Sequence, residues 1–126
     1  MKPPSDIAEI KGYHAHVYYD GGETRSLAEV LRRGVEMLDI PVALGRWHDA
    51  PIGPHPTGSY QIAFEVNHFA ELVPWLALNR QGLSILIHPE TEDVLADHSD
   101  HAIWLGPQLA LDMEILRRFM AEYKTK

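Results

Sequence analysis

The segment IKGYHAHVYYD, Ile10 to Asp20, has the residue pattern of a β-strand. Its valine and tyrosines belong to the β-branched and aromatic classes that are enriched in strands, and the two glycines at 21–22 end the run. Side chains two positions apart on a strand point to the same face of the sheet. His14 and His16 are therefore expected on one face, with Tyr18 next along it.

Helical and strand patterns alternate over the rest of the chain. Apolar residues at helical spacing predict a helix that starts with Thr24 or Ser26 as its N-cap, has Glu29 in a capping box, and stops near Asp39. The further predicted elements are strands at 42–47 and 59–66, a helix at 69–80 capped by Asn67, a strand at 83–88, an ordered loop at 90–106, and a last helix from about Pro107 to Tyr123. Trp75 and Trp104 are expected in the core.

The order β-α-β-β-α-β with a tail helix predicts an α+β, ferredoxin-like βαββαβ sandwich with a C-terminal helix. Two helices would cover one face of a four-stranded antiparallel sheet. The other face would be free to bury a partner subunit, the tail helix or a ligand. The strand order 4-1-3-2 of this topology would bring His88 beside the strand that carries His14 and His16.

Composition limits the classes of function. The 126 residues suit one domain, 1–126, with residues 1–9 as a flexible lead. A formal net charge of −7 argues against a nucleic-acid partner, and no apolar run approaches the length of a membrane span. Without cysteine or a signal-like N-terminus, the expected location is cytoplasmic. Nucleophile-elbow and phosphate-loop motifs are absent too.

Six of the eight histidines lie in four short motifs. Imidazole is the commonest metal ligand in proteins, and His14, His16, His55 and His88 are the candidate ligands. His55 stands between two prolines, which hold its backbone extended. The alternatives are a hydrogen-bonded ladder of histidines on the sheet and, for His55, a solvated position in a surface loop.

The segment DHSDHAIW, residues 97–104, supplies the candidate acid–base residues. His98 or His101 could move protons, and Asp97 or Asp100 could orient one of them. The alternative is a turn in which Asp and Ser satisfy their own backbone.

Three further residues are candidates for substrate binding. Tyr18 follows the histidines along the first strand, and Gln61 lies on the face of the third strand opposite its apolar residues. Arg46 on the second strand could hold a carboxylate, although a surface salt bridge is the default for such a residue.

The motifs YHAHVYYD, GPHPTGSYQIAF, LIHPET and DHSDHAIWLG resemble the DOPA 4,5-dioxygenase family, over about residues 11–106. The resemblance implies extradiol cleavage of a catechol such as DOPA, with O₂ at non-haem Fe(II). Another divalent metal such as Zn²⁺ could occupy the site in a crystal. The motifs supply histidines, with Glu65 as the only strand carboxylate.

Two hypotheses about function follow. In the first, the chain is an oxidoreductase that holds iron with three or four of the strand and loop histidines and binds a small aromatic diol and O₂. In the second, it is a non-catalytic ferredoxin-like module that binds a ligand or assembles as a dimer through its open face. A homodimer is expected under either hypothesis.

Overall fold

The protein is described here by a computed structural model that covers residues 2–125, with side chains to residue 123. It contains five strands and four α-helices: β1 (Tyr13–Tyr19), α1 (Gly22–Glu36), β2 (Ala43–Leu44), β3 (Gly58–Phe64), α2 (Phe69–Asn79), β4 (Ile85–Pro89), α3 (Val94–Asp97), β5 (Ile103–Leu105) and α4 (Met113–Thr125). Two 3₁₀ turns, Ile7–Glu9 and Val66–His68, precede β1 and α2. The first turn orders the end of the predicted flexible lead.

The strands form one antiparallel sheet in the order β2-β3-β1-β4-β5. The first four follow the 4-1-3-2 order, so the predicted ferredoxin-like fold is confirmed. β5 adds a fifth strand at one edge. The register sets His14 directly opposite His88 on β4, and His16 opposite Gln61 on β3.

The core lies between the sheet and helices α1 and α2. Alternate residues of three neighbouring strands meet buried residues of α1 and α2; the set includes Ala15, Val17, Tyr19, Leu31, Val35, Tyr60, Ile62, Leu72, Leu76, Ile85 and Ile87. The Tyr60 hydroxyl donates to the Ala28 carbonyl of α1 at 2.9 Å, which satisfies a polar group inside this layer. Trp75 packs against the core, as predicted.

One glycine sets the separation of the helices. A Cβ at Gly34 of α1 would come within 2.8 Å of the Trp75 ring of α2, so the indole occupies space that only glycine leaves free.

The predicted start of α1 was wrong. The helix begins at Gly22 after Gly21, whose φ of 93° is accessible to glycine. Thr24 instead accepts a hydrogen bond from the Asp20 amide, and Ser26 donates to the Gly22 carbonyl inside the helix. The helix starts before Thr24 and Ser26, so the predicted capping box does not form.

The second strand and second helix also differ from prediction. β2 keeps only two residues. Beyond it, a hydrogen bond from the Gly45 amide to the Gln61 carbonyl and an isolated bridge between His48 and Ser59 continue the pairing with β3. Asn67 lies inside the Val66–His68 turn rather than capping α2.

The predicted loop at 90–106 contains two short elements. The Asp93 side chain caps α3 by accepting from the Ala96 amide, and β5 pairs with β4. Trp104 of β5 pairs with Leu86, which puts it on the open face of the sheet rather than in the core between sheet and helices. A strand of three residues depends on its partner more than on its own pattern.

The last helix starts later than predicted. Residues 107–112 form a connection held by hydrogen bonds from the Ser84 hydroxyl to the Pro107 carbonyl and from the Asp112 amide to the Pro54 carbonyl. Across residues 2–125, the helices are too short or too polar to cross a bilayer.

Candidate metal centre

Three imidazoles converge on the face of the sheet that α1 and α2 leave free. His14 and His16 come from β1 and His88 from β4, and one potential ligand atom from each lies within 4.8 Å of the others. His16 and His88 are only 6% and 3% exposed. Strand alternation and the antiparallel register are sufficient to bring the three rings together.

Hydrogen bonds orient two of these rings. His88 Nδ1 lies 2.9 Å from the Pro89 carbonyl oxygen, which can only accept, so Nδ1 carries the proton. The Nε2 lone pair of a neutral His88 then faces His16 Nε2, 3.1 Å away. A backbone contact of this kind fixes the tautomer of a metal-binding histidine and directs its free nitrogen.

The surroundings keep the buried imidazoles uncharged. Burial, reinforced by the nearby His98, lowers the pKa of His88 to about 4. Burial, reinforced by the imidazoles of His55 and His88, also lowers the pKa of His16 well below its usual value. The neutral form is the one that binds a metal.

A carboxylate that sequence reasoning overlooked joins the group. Glu90 contacts His14 Nε2 through its carboxylate. Burial lowers the pKa of His14, while the charge and hydrogen bond of Glu90 act in the opposite direction. The Glu90 amide donates to the Gly12 carbonyl, which continues the β4–β1 pairing by one step. The spacing H-x-E after His88 was the available signal, because alternate residues of an extended chain share a face.

His55 reaches the cluster from the loop between β2 and β3. Its ring centroid lies 4.2 Å from that of His16, and its Nδ1 lies 2.7 Å from the Tyr18 hydroxyl. A hydrogen bond from its own amide to the Ile52 carbonyl closes the turn that holds it. Burial, followed by the charges of nearby histidines, lowers the pKa of His55 to about 4.

His98 reaches the cluster from the C-terminal end of α3. Its ring centroid lies 4.1 Å from that of His88 and 6.5 Å from that of His16. His98 Nδ1 lies 2.8 Å from the Val94 carbonyl oxygen. Five imidazoles thus lie within one group: His14, His16, His55, His88 and His98.

His101 lies apart from this group, so the structure separates the two predicted acid–base residues. Its Nδ1 pairs with buried Asp97 at 2.9 Å, while 41% of its side chain is exposed. Asp97 also accepts from the amide and hydroxyl of Thr91. His101 borders a cavity of about 290 Å³ against the 3₁₀ turn that precedes β1.

The three predicted substrate contacts differ in position. The Tyr18 ring stacks on Trp104 at 5.9 Å between centroids, beside His55. Gln61 lines a cavity of about 260 Å³ together with His16 and His55. Arg46 is exposed, and within residues 2–125 it has no hydrogen bond or ion pair.

A further cavity, of about 370 Å³, opens beside His14, on the Glu90 side of the three converging histidines. His14, Glu90 and Glu65 line it together with the apolar residues Val42 and Phe64. Its volume is in the range of about 300–1,000 Å³ that is usual for small-molecule sites. Glu65, the predicted strand carboxylate, lies here at the rim, beyond the end of β3.

The donor set suits a divalent transition metal. Imidazole nitrogens bind iron and zinc, and a carboxylate beside two or three histidines is a common arrangement for non-haem Fe(II). Buried, neutral imidazoles that face one another are pre-arranged ligands. The triad His14, His16 and His88 could hold a metal ion.

Comparison with known proteins agrees with these observations. A model of the Dopa 4,5-dioxygenase family matches residues 13–115, most of the chain. The chain belongs to this family. The match includes both strands that carry the triad, as well as Glu90 and His98.

Individual relatives extend the comparison. The chain is 36% identical to a DOPA 4,5-dioxygenase of Amanita muscaria, over 89% of its own length and 54% of the relative's, so it spans about half of that protein. It is 33% identical to an uncharacterised 21.2 kDa protein of Botryotinia fuckeliana, over 91% of this chain and 68% of that one. A crystal structure from Nostoc punctiforme, provisionally assigned as a dioxygenase, is 52% identical with a TM-score of 0.89, covering 92% of this chain and 99% of that one.

Proposed function

We propose that this chain is an extradiol dioxygenase that opens the ring of a catechol such as DOPA at a non-haem Fe(II) centre. In this reaction the carbon–carbon bond beside the two hydroxyl-bearing carbons breaks, and both atoms of O₂ enter a muconate-semialdehyde-type product. The name of the Amanita muscaria relative supports DOPA as the substrate to test first.

One observation carries the proposal. Three histidines converge within 4.8 Å on the open face of the sheet, and two further imidazoles that are not needed as ligands lie beside them. A site that only stored a metal would need ligands and no additional proton carriers. Ring cleavage needs both, because the catechol must lose protons and an oxygen must later receive one.

His14, His16 and His88 would hold the metal, with Glu90 beside His14 as a further carboxylate. Bound Fe(II) would supply the electron transfer between catechol and O₂ on which extradiol chemistry depends. The hydrogen bond from His88 to the Pro89 carbonyl keeps the Nε2 lone pair of His88 directed into the cluster.

The remaining groups would position the substrate and move protons. The aromatic pair Tyr18 and Trp104 offers an apolar wall beside His55. Gln61 has an amide that can hydrogen-bond a ring substituent in the cavity that it shares with His16. His98 would accept a proton from a catechol hydroxyl.

Anaerobic reconstitution with Fe(II) tests this function. Metal-free protein is loaded with Fe(II), mixed with DOPA or simple catechols, and then exposed to air. We expect about one iron per chain, oxygen uptake and a new yellow absorbance from the ring-opened product. A panel of catechols with no chromophore and no oxygen uptake would contradict an enzymatic role and favour a non-catalytic binding module.

A pair of histidine variants gives the matched comparison. His16→Ala removes a proposed ligand and should lower both iron affinity and turnover by more than about 100-fold, with a corresponding loss of iron content, since even partners of metal ligands contribute 10- to 100-fold. His68→Ala removes a histidine from the turn before α2, outside the described cluster, and should change neither. Full iron content and turnover in His16→Ala would rule out the ligand assignment.

The cytoplasmic location and the homodimer stay predictions. Gel filtration combined with light scattering of the metal-free and iron-loaded protein measures the oligomeric state directly.

A further inference from the structure

We propose that Tyr18 and the Val94 carbonyl hold the two imidazoles beside the triad, His55 and His98, in opposite tautomers. His55 would then offer an N–H donor and His98 a lone-pair acceptor. The proposal deepens the proposed function, because it assigns a direction of hydrogen bonding to each side of the site.

The tautomer of His55 follows from its phenol partner. Within the described chain, the Tyr18 hydroxyl has one hydrogen-bond partner, His55 Nδ1 at 2.7 Å. If the phenol proton lies on this line, Nδ1 is the acceptor and the ring proton is on Nε2. The reverse arrangement would leave the proton of a buried phenol without an acceptor, which is costly.

The tautomer of His98 follows from a backbone carbonyl. The Val94 oxygen, 2.8 Å from His98 Nδ1, accepts and cannot donate. In its neutral form, His98 therefore carries its proton on Nδ1 and has a free lone pair on Nε2. Val94, four residues before His98 in the first turn of α3, thus determines which nitrogen of the His98 ring is protonated.

The other rings of the metal-free site also have partners that fix their tautomers. Carbonyl and carboxylate acceptors put the proton on Nδ1 of His88 and His101 and on Nε2 of His14. Since His88 Nε2 is then an acceptor, His16 donates to it from Nε2. The inference therefore predicts a complete pattern of tautomers for the cluster and for His101.

The consequence for catalysis rests on the proposed function. His98 would accept a proton from a catechol hydroxyl on the His88 side, and His55 would donate a hydrogen bond to a substrate or dioxygen oxygen on the His16 side. With its proton on Nε2, His55 would be a hydrogen-bond donor in the site rather than a fourth ligand. Tyr18 would be a positioning residue that acts through His55.

Nuclear magnetic resonance of the metal-free protein tests the tautomers directly. Two-bond ¹H–¹⁵N correlation spectra of the histidine rings distinguish a protonated Nδ1 from a protonated Nε2, and His55→Asn and His98→Asn variants assign the two critical rings. We expect the Nε2–H form for His55 and the Nδ1–H form for His98. The same form in both rings would overturn the proposal.

Tyr18→Phe tests the role of the phenol, with Tyr19→Phe as the matched control. Tyr19 is the neighbouring residue on the opposite face of β1, and its hydroxyl contacts the His48 carbonyl and Asp49. Only Tyr18→Phe should move the His55 Nδ1 resonance towards that of a ring nitrogen without a hydrogen bond. An unchanged His55 spectrum in Tyr18→Phe would refute the assignment.

Turnover provides a second measurement. In the iron-loaded enzyme, Tyr18→Phe should lower kcat roughly three- to tenfold, the effect of losing one hydrogen bond, with unchanged iron content. The expected tautomers in a protein without ring-cleaving activity would refute only the proposed function, whereas activity with the wrong tautomers would refute only this inference.

Discussion

The two faces of β1 are buried to nearly the same extent and have opposite chemistry. Val17 is 0% exposed among apolar side chains beneath α1 and α2, and His16, one residue earlier, is 6% exposed among other imidazoles. Burial of valine stabilises the fold through the hydrophobic effect. Burial of a histidine instead disfavours its charged form and leaves nitrogen lone pairs in need of a partner. Similar burial of apolar side chains on one face and of imidazoles on the other therefore indicates a hydrophobic core on the first face and a binding site on the second.

A truncation on the core face should have the largest effect on stability. Ile62→Ala removes a fully buried side chain from β3, and we expect a loss of about 2–5 kcal/mol in the free energy of unfolding. The histidine face should be spared, so the folded fraction should still bind metal with unchanged stoichiometry. Urea denaturation measures the first quantity and elemental analysis the second. Loss of metal from fully folded variant protein would show that the two faces are not independent.

The second-largest effect is expected from acid, which should destabilise the metal-free protein through the buried histidines. Because burial lowers the pKa of His88 from 6.5 to about 4, the unfolded chain binds more protons than the folded one between these values. Stability of the metal-free protein should thus fall as the pH drops from about 6.5 to 4, by at most roughly 3.5 kcal/mol for this residue at about 1.4 kcal/mol per pKa unit.

Thermal denaturation of metal-free protein between pH 7.5 and 4.5 measures this dependence. The variant His16→Leu/His88→Leu keeps the site filled, removes its two most buried titratable groups and should show a flatter profile. Identical pH profiles for this variant and the parent would show that the buried imidazoles do not cause the acid sensitivity.

Replacement of Glu90 should have a smaller effect. Glu90→Gln keeps the shape of the side chain and removes the charge beside His14, so metal affinity should fall about 10- to 100-fold. Glu92→Gln, an exposed neighbour in a loose ion pair with Lys11, is the matched control and should leave affinity unchanged. Competition titration with a chelator measures both variants, and equal affinities would separate Glu90 from the metal centre.

The smallest change is expected at His101. Its exposed ring pairs with Asp97 outside the cluster, so His101→Ala should alter turnover less than about threefold, as expected for an exposed side chain that is not a member of the cluster. The same substitution at His98 should reduce turnover about 100-fold or more if that ring is the proton acceptor. Steady-state kinetics with matched iron content compares the two, and a similar loss in both would restore the predicted catalytic pair.

Sequence patterns were sufficient to predict residue positions where the alternation of side chains along a strand determines them. Alternation along β1 predicted that His14, His16 and Tyr18 share a face, and the topology inferred from element order brought His88 next to them, as the register confirms. Glu90 could have been found by the same rule of alternate residues after His88. Glu90 lies two residues beyond the predicted strand at 83–88, so the predicted strand pattern did not include it.

Other features depend on contacts that the residue pattern alone left open. β5 has three residues and exists through its pairing with β4, so the pattern around Trp104 alone favoured a loop and a core tryptophan. His98 and His101 looked equivalent in DHSDHAIW. The capping of α3 by Asp93 and the capture of His101 by Asp97 turn one ring to the cluster and the other away.

The sequence by itself therefore determined the fold class, the open face and the imidazoles on β1 and β4, since strand periodicity and element order are properties of the chain. The tertiary structure alone decided which loop histidines join the cluster and where Trp104 packs. Those outcomes depend on packing of β5 and of the loop histidines against sheet residues far apart in sequence, and no local pattern encodes these contacts.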